Sequence, residues 1–77
     1  MDFDTAMGRV IGSRAKLKGL QQGELADRAG MAANTLSRFI RHGGNTATLV
    51  KIAEALGIHT SVLMKDAEDI MKSEVTE

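Results

Sequence analysis

The feature that most constrains this 77-residue chain is an apolar pattern with the period of an α-helix, interrupted at short intervals by glycine. Apolar residues recur three and four positions apart in every periodic segment, and no segment alternates in the manner of a β-strand. The chain has eight glycines and no proline, so glycine is the expected helix terminator. The pattern predicts an all-α, compact five-helix fold in a single domain, residues 1–77.

A glycine separates the first two predicted helices. Helix one begins near Asp4 or Thr5 and ends before Gly19, and helix two covers about residues 22–29 and ends at Gly30. The apolar stripes that we expect in the core are Met7, Val10, Ile11 and Leu17 in helix one and Leu25, Ala26 and Ala29 in helix two.

The third predicted helix, residues 33–41, has two chemically different faces. One face carries apolar side chains that we expect to be buried, and the other is polar. The apolar face holds Leu36, Phe39 and Ile40, and the polar face holds Asn34, Ser37, Arg38 and Arg41. A fourth helix follows the segment HGGN, with Asn45 or Thr46 as its cap, an apolar stripe of Leu49, Ile52, Ala53 and Leu56, and an end at Gly57.

The fifth predicted helix begins at a cap on Thr60 or Ser61 and continues to about residue 72. Four of its apolar residues exceed what a core of this size needs to cover, namely Val62, Leu63, Ile70 and Met71. A core this small also supplies only a few kcal/mol, roughly 3 to 5, without added support. We therefore expect residues 60–77 to form a dimerisation helix with a frayed acidic tail.

Charge is distributed unevenly along a chain whose formal net charge is zero. Residues 5–52 contain eight basic and two acidic residues, a net of +6, whereas residues 60–77 contain two basic and five acidic residues, a net of −3. A basic body of this kind is suited to a polyanionic partner. Among its cations, Arg14 interrupts the apolar stripe of helix one, so we expect its stem to lie along the core and its guanidinium to reach solvent.

Helices two and three meet at a short turn over residues 30–32, and Ala26 is small enough for the two helices to cross closely. This spacing predicts a helix-turn-helix at about residues 22–41, whose second helix projects its polar face into a DNA major groove. Arginine can bond two acceptors on guanine, and asparagine can bond adenine in the same bidentate manner. The residue types of helix three therefore favour base reading over simple solvation.

Two stretches resemble one known family, the phage repressor and Cro type, or XRE-type, helix-turn-helix domains. They are QQGELADRAGMAANTLSRFIRHG and TLVKIAEALGI, within a likeness that runs from about Ile11 to Leu63. The resemblance implies a double-stranded DNA-binding transcriptional regulator, most plausibly a repressor that acts as a homodimer on a pseudo-palindromic operator. It also implies a non-enzymatic protein of a bacterial or phage system. The short apolar runs and the lack of signal-peptide features predict that the protein works in the cytoplasm.

The resemblance assigns DNA contacts residue by residue. Expected base contacts are Ala33, Asn34, Ser37 and Arg38, and expected phosphate contacts are Gln22, Thr35, Arg41, Gly44 and Asn45. The chain departs from the family where an arginine and an acid commonly pair, because it has Ala15 and Ile40 there. Loss of both charges together is physically consistent, since one unpaired buried charge would cost several kcal/mol, about 3 to 5. Alanines at 32 and 33 predict fewer direct base contacts.

The sequence argues against several other functions. There is no cysteine, and His42 and His59 have no partner at metal-ligand spacing, so we expect no metal, no cofactor and no catalytic site. No small-molecule ligand, signal peptide or membrane segment is evident. The alternative function is an antitoxin or protein-interaction module on the same scaffold, with an acidic tail that binds a basic protein partner.

Overall fold

The computed structural model describes the backbone of residues 1–75 and the side chains of residues 1–73. Over this range the chain forms five α-helices and no strand, which confirms the predicted all-α class. The helices are α1 (Phe3–Leu17), α2 (Gln22–Ala29), α3 (Ala33–His42), α4 (Thr46–Leu56) and α5 (Thr60–Val75).

The start of α1 lies earlier than predicted because the chain caps it earlier. An oxygen of the Asp2 carboxylate accepts a hydrogen bond of 2.7 Å from the Thr5 backbone N–H. This bond satisfies one of the N–H groups that a first helical turn leaves without an intrahelical partner. Hydrogen bonding to Thr5 also lowers the pKa of the Asp2 carboxyl below its ordinary value of 3.8. The helix therefore begins at Phe3 rather than near Asp4 or Thr5.

Glycine terminates the helices as the sequence pattern predicts. Gly30 and Gly57 end α2 and α4 in the left-handed conformation, with φ of 71° and 73°. A side chain is strained in this conformation, whereas glycine adopts it freely. The residue after each glycine donates its N–H to a carbonyl five residues back, Met31 to Ala26 and Ile58 to Ala53. These bonds reverse the chain tightly and bring successive helices into contact.

The core is entirely apolar among the described side chains. Helix α1 lies at its centre, with α3 and α5 packed against it, while α2 packs on α3 and α4. The largest fully buried side chains are Ile11, Leu25, Leu36, Ile52, Leu56 and Leu63. One predicted core residue is wrong: Leu17 is 81% exposed. It occupies the last position of α1, beyond the reach of the neighbouring helices.

Helix α1 contacts its two main neighbours in different ways. On the α3 side, Gly8 is buried directly against the backbone of α3, and a Cβ at Gly8 would overlap the carbonyl oxygen of Ile40. On the α5 side, Nε and Nη2 of Arg14 donate to one carboxylate oxygen of Asp66, at 2.9 and 2.6 Å. Both charged side chains are about one-third exposed. The Arg14 guanidinium is thus held by α5 instead of pointing freely into solvent.

Helix α5 contributes more to the core than the sequence suggested. Leu63 and Ala67 are fully buried, and Ile70 and Met71 pack partly against the core. The prediction that Leu63 exceeds what the core needs is therefore wrong, because this side chain is already buried within the monomer. The helix continues beyond residue 72 to Val75, so the expected fraying is wrong for the backbone of residues 73–75, and residues 76–77 of the predicted tail lie outside the described part.

No single helix in the described part of the chain is long and apolar enough to cross a membrane. Helices α4 and α5 meet the length and composition limits only as a pair, and the chain bends by 101° between them.

Candidate nucleic-acid interface

The turn between α2 and α3 is compact and rigidly hydrogen-bonded. Gly30 donates its N–H to the Asp27 carbonyl at 3.1 Å, and Met31 donates to the Ala26 carbonyl at 3.0 Å. Ala26, the small residue predicted to allow a close crossing, is 1% exposed and belongs to the hydrophobic core. These bonds close a tight turn between α2 and α3, and α3 packs against both α1 and α2.

Helix α3 has the two faces that its sequence predicts. Leu36 and Phe39 are buried and Ile40 is partly buried against the core. Helix α3 also contains all the residues predicted to contact bases, together with two of those predicted to contact phosphate. Of these, Ala33, Asn34, Thr35, Arg38 and Arg41 are exposed, and Ser37 is half-buried. One helical turn separates Asn34 from Arg38, so their side chains share one surface.

The first turns of α2 and α3 border this surface. Ala32, the residue before α3, has no side-chain acceptor and makes no side-chain cap. The N–H groups of an uncapped first turn are suited to donate to an anion. At α2, the Glu24 carboxylate accepts the Gln21 N–H at 3.0 Å, which fixes the turn that presents the exposed Gln22. Gln22 is the first residue of α2, as its predicted phosphate contact requires.

The loop from α3 to α4 is shaped by close contacts. Gly43 has φ of 78°, and a Cβ there would lie 2.5 Å from the Asp4 carboxyl carbon. A Cβ at Gly44 would lie 2.8 Å from the Phe39 ring. Asn45 caps α4, because its Oδ1 accepts the backbone N–H of Thr48 at 2.8 Å. This cap uses the amide oxygen of Asn45, and its Nδ2 group is the part that can donate to a phosphate.

Asp4 is the neighbour of this loop that sequence reasoning missed. Its carboxylate lies beside Gly43 at the end of α3, although the two residues are 39 positions apart. Only the packing of α1 on α3 brings them together, and no local pattern indicates it. An acid here places negative charge next to the loop predicted to face phosphates. We expect it to weaken anion binding locally.

The described residues give no sign of a metal site. No group of three or more histidine, cysteine, aspartate or glutamate side chains among them is arranged to hold a metal ion. His42 and His59 are both exposed.

Lys18, one of the cations in the basic segment of residues 5–52, has its ammonium near Gly57 at the C-terminal end of α4, where its positive charge complements the helix dipole.

A groove of about 240 Å³ opens where α1, α2 and α3 meet. Ala15 and Ile40, the two apolar residues at the positions where the resemblance led us to expect a charged pair, both line it. The remaining lining consists of Ile11, Gly12, Lys16, Leu20, Gln22 and Leu25. The predicted phosphate contact Gln22 therefore belongs to this groove as well as to the start of α2.

The comparison with protein families agrees with this geometry. A family model described as helix-turn-helix matches residues 11–63, which include α2, α3 and α4 completely. No curated protein and no solved structure matches the chain.

Proposed function

This chain belongs to the XRE/Cro-type helix-turn-helix family, and from that premise we propose that it is a sequence-specific transcriptional regulator that binds double-stranded DNA. In this proposal it acts as a repressor, by occupying a promoter as a homodimer in a bacterial or phage-infected cytoplasm. No reaction is catalysed. The single observation that carries the proposal is the exposed polar face of α3, which a rigid turn presents outside an apolar core.

Asn34 and Arg38 are the base-reading residues of this proposal. They lie one turn apart on the exposed surface of α3, and the major groove is wide enough to admit one helix. Asparagine and arginine can form bidentate hydrogen bonds to adenine and guanine. Ala33 offers only a methyl group, which suits contact with a thymine methyl, and the half-buried Ser37 reaches a shorter distance.

The phosphate contacts surround this reading surface. Gln22 and Thr35 lie in the first turns of α2 and α3, where backbone N–H groups add donors for an anion. Arg41, in the last turn of α3, precedes the loop that contains Gly44 and Asn45. These five residues set the register of the protein on DNA, whereas the base contacts supply sequence preference.

Two arginine variants on the same helix test the division of roles. Arg38→Ala should cost about 1 to 3 kcal/mol on a selected operator and relax preference at one base pair. Arg41→Ala should weaken operator and scrambled DNA alike, and reduce the slope of log affinity against log salt by about one unit per protomer. The measurement is a set of binding isotherms on both duplexes over a salt series. Unchanged affinity in both variants would remove α3 from the mechanism.

The homodimer of this proposal is supported by apolar surface on α5. Met64 is 45% exposed, and Val62, Ile70 and Met71 are only half-buried. Two paired protomers would read half-sites about 10 base pairs apart on one face of the duplex. Sedimentation at micromolar concentration, with and without a symmetric operator, is the measurement. A monomer under both conditions would contradict the homodimer and leave DNA reading by one α3 to be tested separately.

A further inference from the structure

One exposed glycine in the middle of α1 has no packing contact that explains it. Gly8, in the same helix, is pressed against the α3 backbone, but a Cβ at Gly12 would meet no atom within 4 Å. Gly12 has helical φ and lies in open space, although glycine is among the poorest residues for a helix interior. The missing side chain leaves room for another molecule to approach the α1 backbone closely at this position.

Gly12 forms one wall of the groove between α1, α2 and α3, and the groove's chemistry is of two kinds. Its floor is apolar, with Ile11, Leu20 and Ile40 among its side chains. The polar side chains among the lining residues are Lys16 and Gln22, so the lining has one cation and no acid. Both polar side chains are exposed at the rim. Such a groove favours a group with an apolar face and a negative end.

We propose that this groove receives one deoxyribose-phosphate unit of the DNA backbone, with Lys16 as its phosphate contact and Gly12 as the gap that admits the sugar. The carbon face of the sugar lies on the apolar floor, and the phosphate accepts hydrogen bonds from the Lys16 ammonium and the Gln22 amide. The inference rests on the proposed function, because it extends the DNA surface from α2 and α3 to α1.

Size and position favour this occupant. The groove volume of about 240 Å³ is smaller than the 300 to 1,000 Å³, approximately, of pockets that hold drug-sized ligands. It is large enough for a single backbone unit. Gln22 belongs both to the groove and to the set of proposed phosphate contacts, so a duplex read by α3 brings its backbone to the rim.

The first test compares two lysine variants of identical chemistry. Lys16→Gln should weaken operator binding about fivefold and lower the salt slope by about one unit per protomer. Lys51→Gln, an exposed α4 position that does not line the groove, should leave both quantities unchanged. Duplexes with a neutral methylphosphonate at each successive phosphate then locate the contact. One substituted phosphate should weaken the wild type, and it should weaken Lys16→Gln by a smaller factor, because only the Gln22 contact to that phosphate then remains to be lost.

The second test fills the groove without removing charge. Gly12→Leu should fold with a melting temperature at or above that of the wild type, because leucine is the better helix former and the site is open. Its affinity for operator should nevertheless fall by about fivefold or more, since the sugar is displaced and phosphate contacts are lost. Ser13→Leu, the adjacent exposed position outside this groove, is the matched control and should keep wild-type affinity.

The outcomes separate this inference from the proposed function. If the wild type binds its operator and Arg38→Ala loses preference, but Lys16→Gln behaves like Lys51→Gln, the groove proposal is overturned and the function stands. The same conclusion follows if Gly12→Leu keeps full affinity. If the wild type binds no duplex from a random pool, the proposed function is overturned as well.

Discussion

Helix α1 meets α3 and α5 through two junctions of opposite character. At the α3 junction the contact is backbone on backbone, with Gly8 against the Ile40 carbonyl. Ala15 and Ile40 are both apolar here, where the resemblance to the family led us to expect a charged pair. At the α5 junction a partly exposed ion pair joins Arg14 to Asp66. The helix that reads DNA in our proposal is held by the stiffer of the two contacts.

The difference shows how each neighbour can move. A close backbone contact permits no rotameric adjustment, so the position of α3 is set by the path of α1 itself. A surface ion pair has rotatable bonds on both sides and is screened by salt, so it attaches α5 with less rigidity. We expect substitutions at the α3 junction to have larger effects on stability and on DNA reading than substitutions at the α5 junction.

Gly8→Ala should break the α3 junction and give the largest effect. The added methyl group overlaps a backbone atom, so α3 must shift away from α1 at a cost of about 1 to 3 kcal/mol in the free energy of unfolding. Urea denaturation measures this cost, and operator titration of the folded fraction measures the accompanying loss of affinity.

Gly12→Ala is the matched control, because it makes the same change one turn later in the same helix. A Cβ there meets nothing within 4 Å, so the protein should gain about 0.5 to 1 kcal/mol from helix propensity. Equal stability of the two variants would contradict the claim that Gly8 fixes the α1 to α3 spacing.

Arg14→Met should weaken the α5 junction by a smaller amount. The pair has two hydrogen bonds but is about one-third exposed, so we expect a loss of about 0.5 to 1 kcal/mol, less at high salt. Lys65→Met is the control, since its pair with Asp69 joins residues of one exposed helix face and should contribute less, about 0.3 to 0.5 kcal/mol. A loss for Arg14→Met that is independent of salt would show that packing of the arginine stem, not charge, holds this junction.

Asp2→Ala should have the smallest effect, because it loosens only the first turn of α1 and contacts neither junction. The lowered pKa of Asp2 means that its carboxylate stabilises the folded state fully above about 3.8, and that this contribution disappears as the pH falls through the lower folded-state pKa. Thermal unfolding of wild type and variant should therefore differ at pH 6 and converge near pH 2. Asp2→Asn should keep the cap without its pH dependence. A stability difference that persists at the acidic limit would exclude this explanation.

Most of the secondary structure could be predicted because its determinants are local. Apolar spacing located all five helices, and the left-handed glycines at 30 and 57 confirmed two predicted ends. The errors lie at positions where distant residues decide the outcome. Leu17 fits the local apolar stripe, but no other helix extends over it. The Arg14 guanidinium was expected in solvent because nothing near it in sequence indicates Asp66, 52 positions away.

The candidate site likewise has one part that local sequence predicts and another part that depends on distant residues. The polar face of α3 could be predicted, because residues three and four apart share a face in any helix. The position of Asp4 beside Gly43 and the groove that joins Gly12 and Lys16 to Gln22 could not be predicted, since each unites residues from separate helices. These features depend on how α1 crosses α2 and α3.

The sequence by itself therefore determined which segments are helical, which face of each is apolar, and which side chains α3 presents. Helical periodicity and glycine φ preference act over a few residues and need no partner. The tertiary structure alone decided that α3 rests on the backbone at Gly8, that an ion pair holds α5, and that α1 borders the start of α2. These contacts depend on the angles and distances between helices, which are fixed only when all apolar faces are buried together.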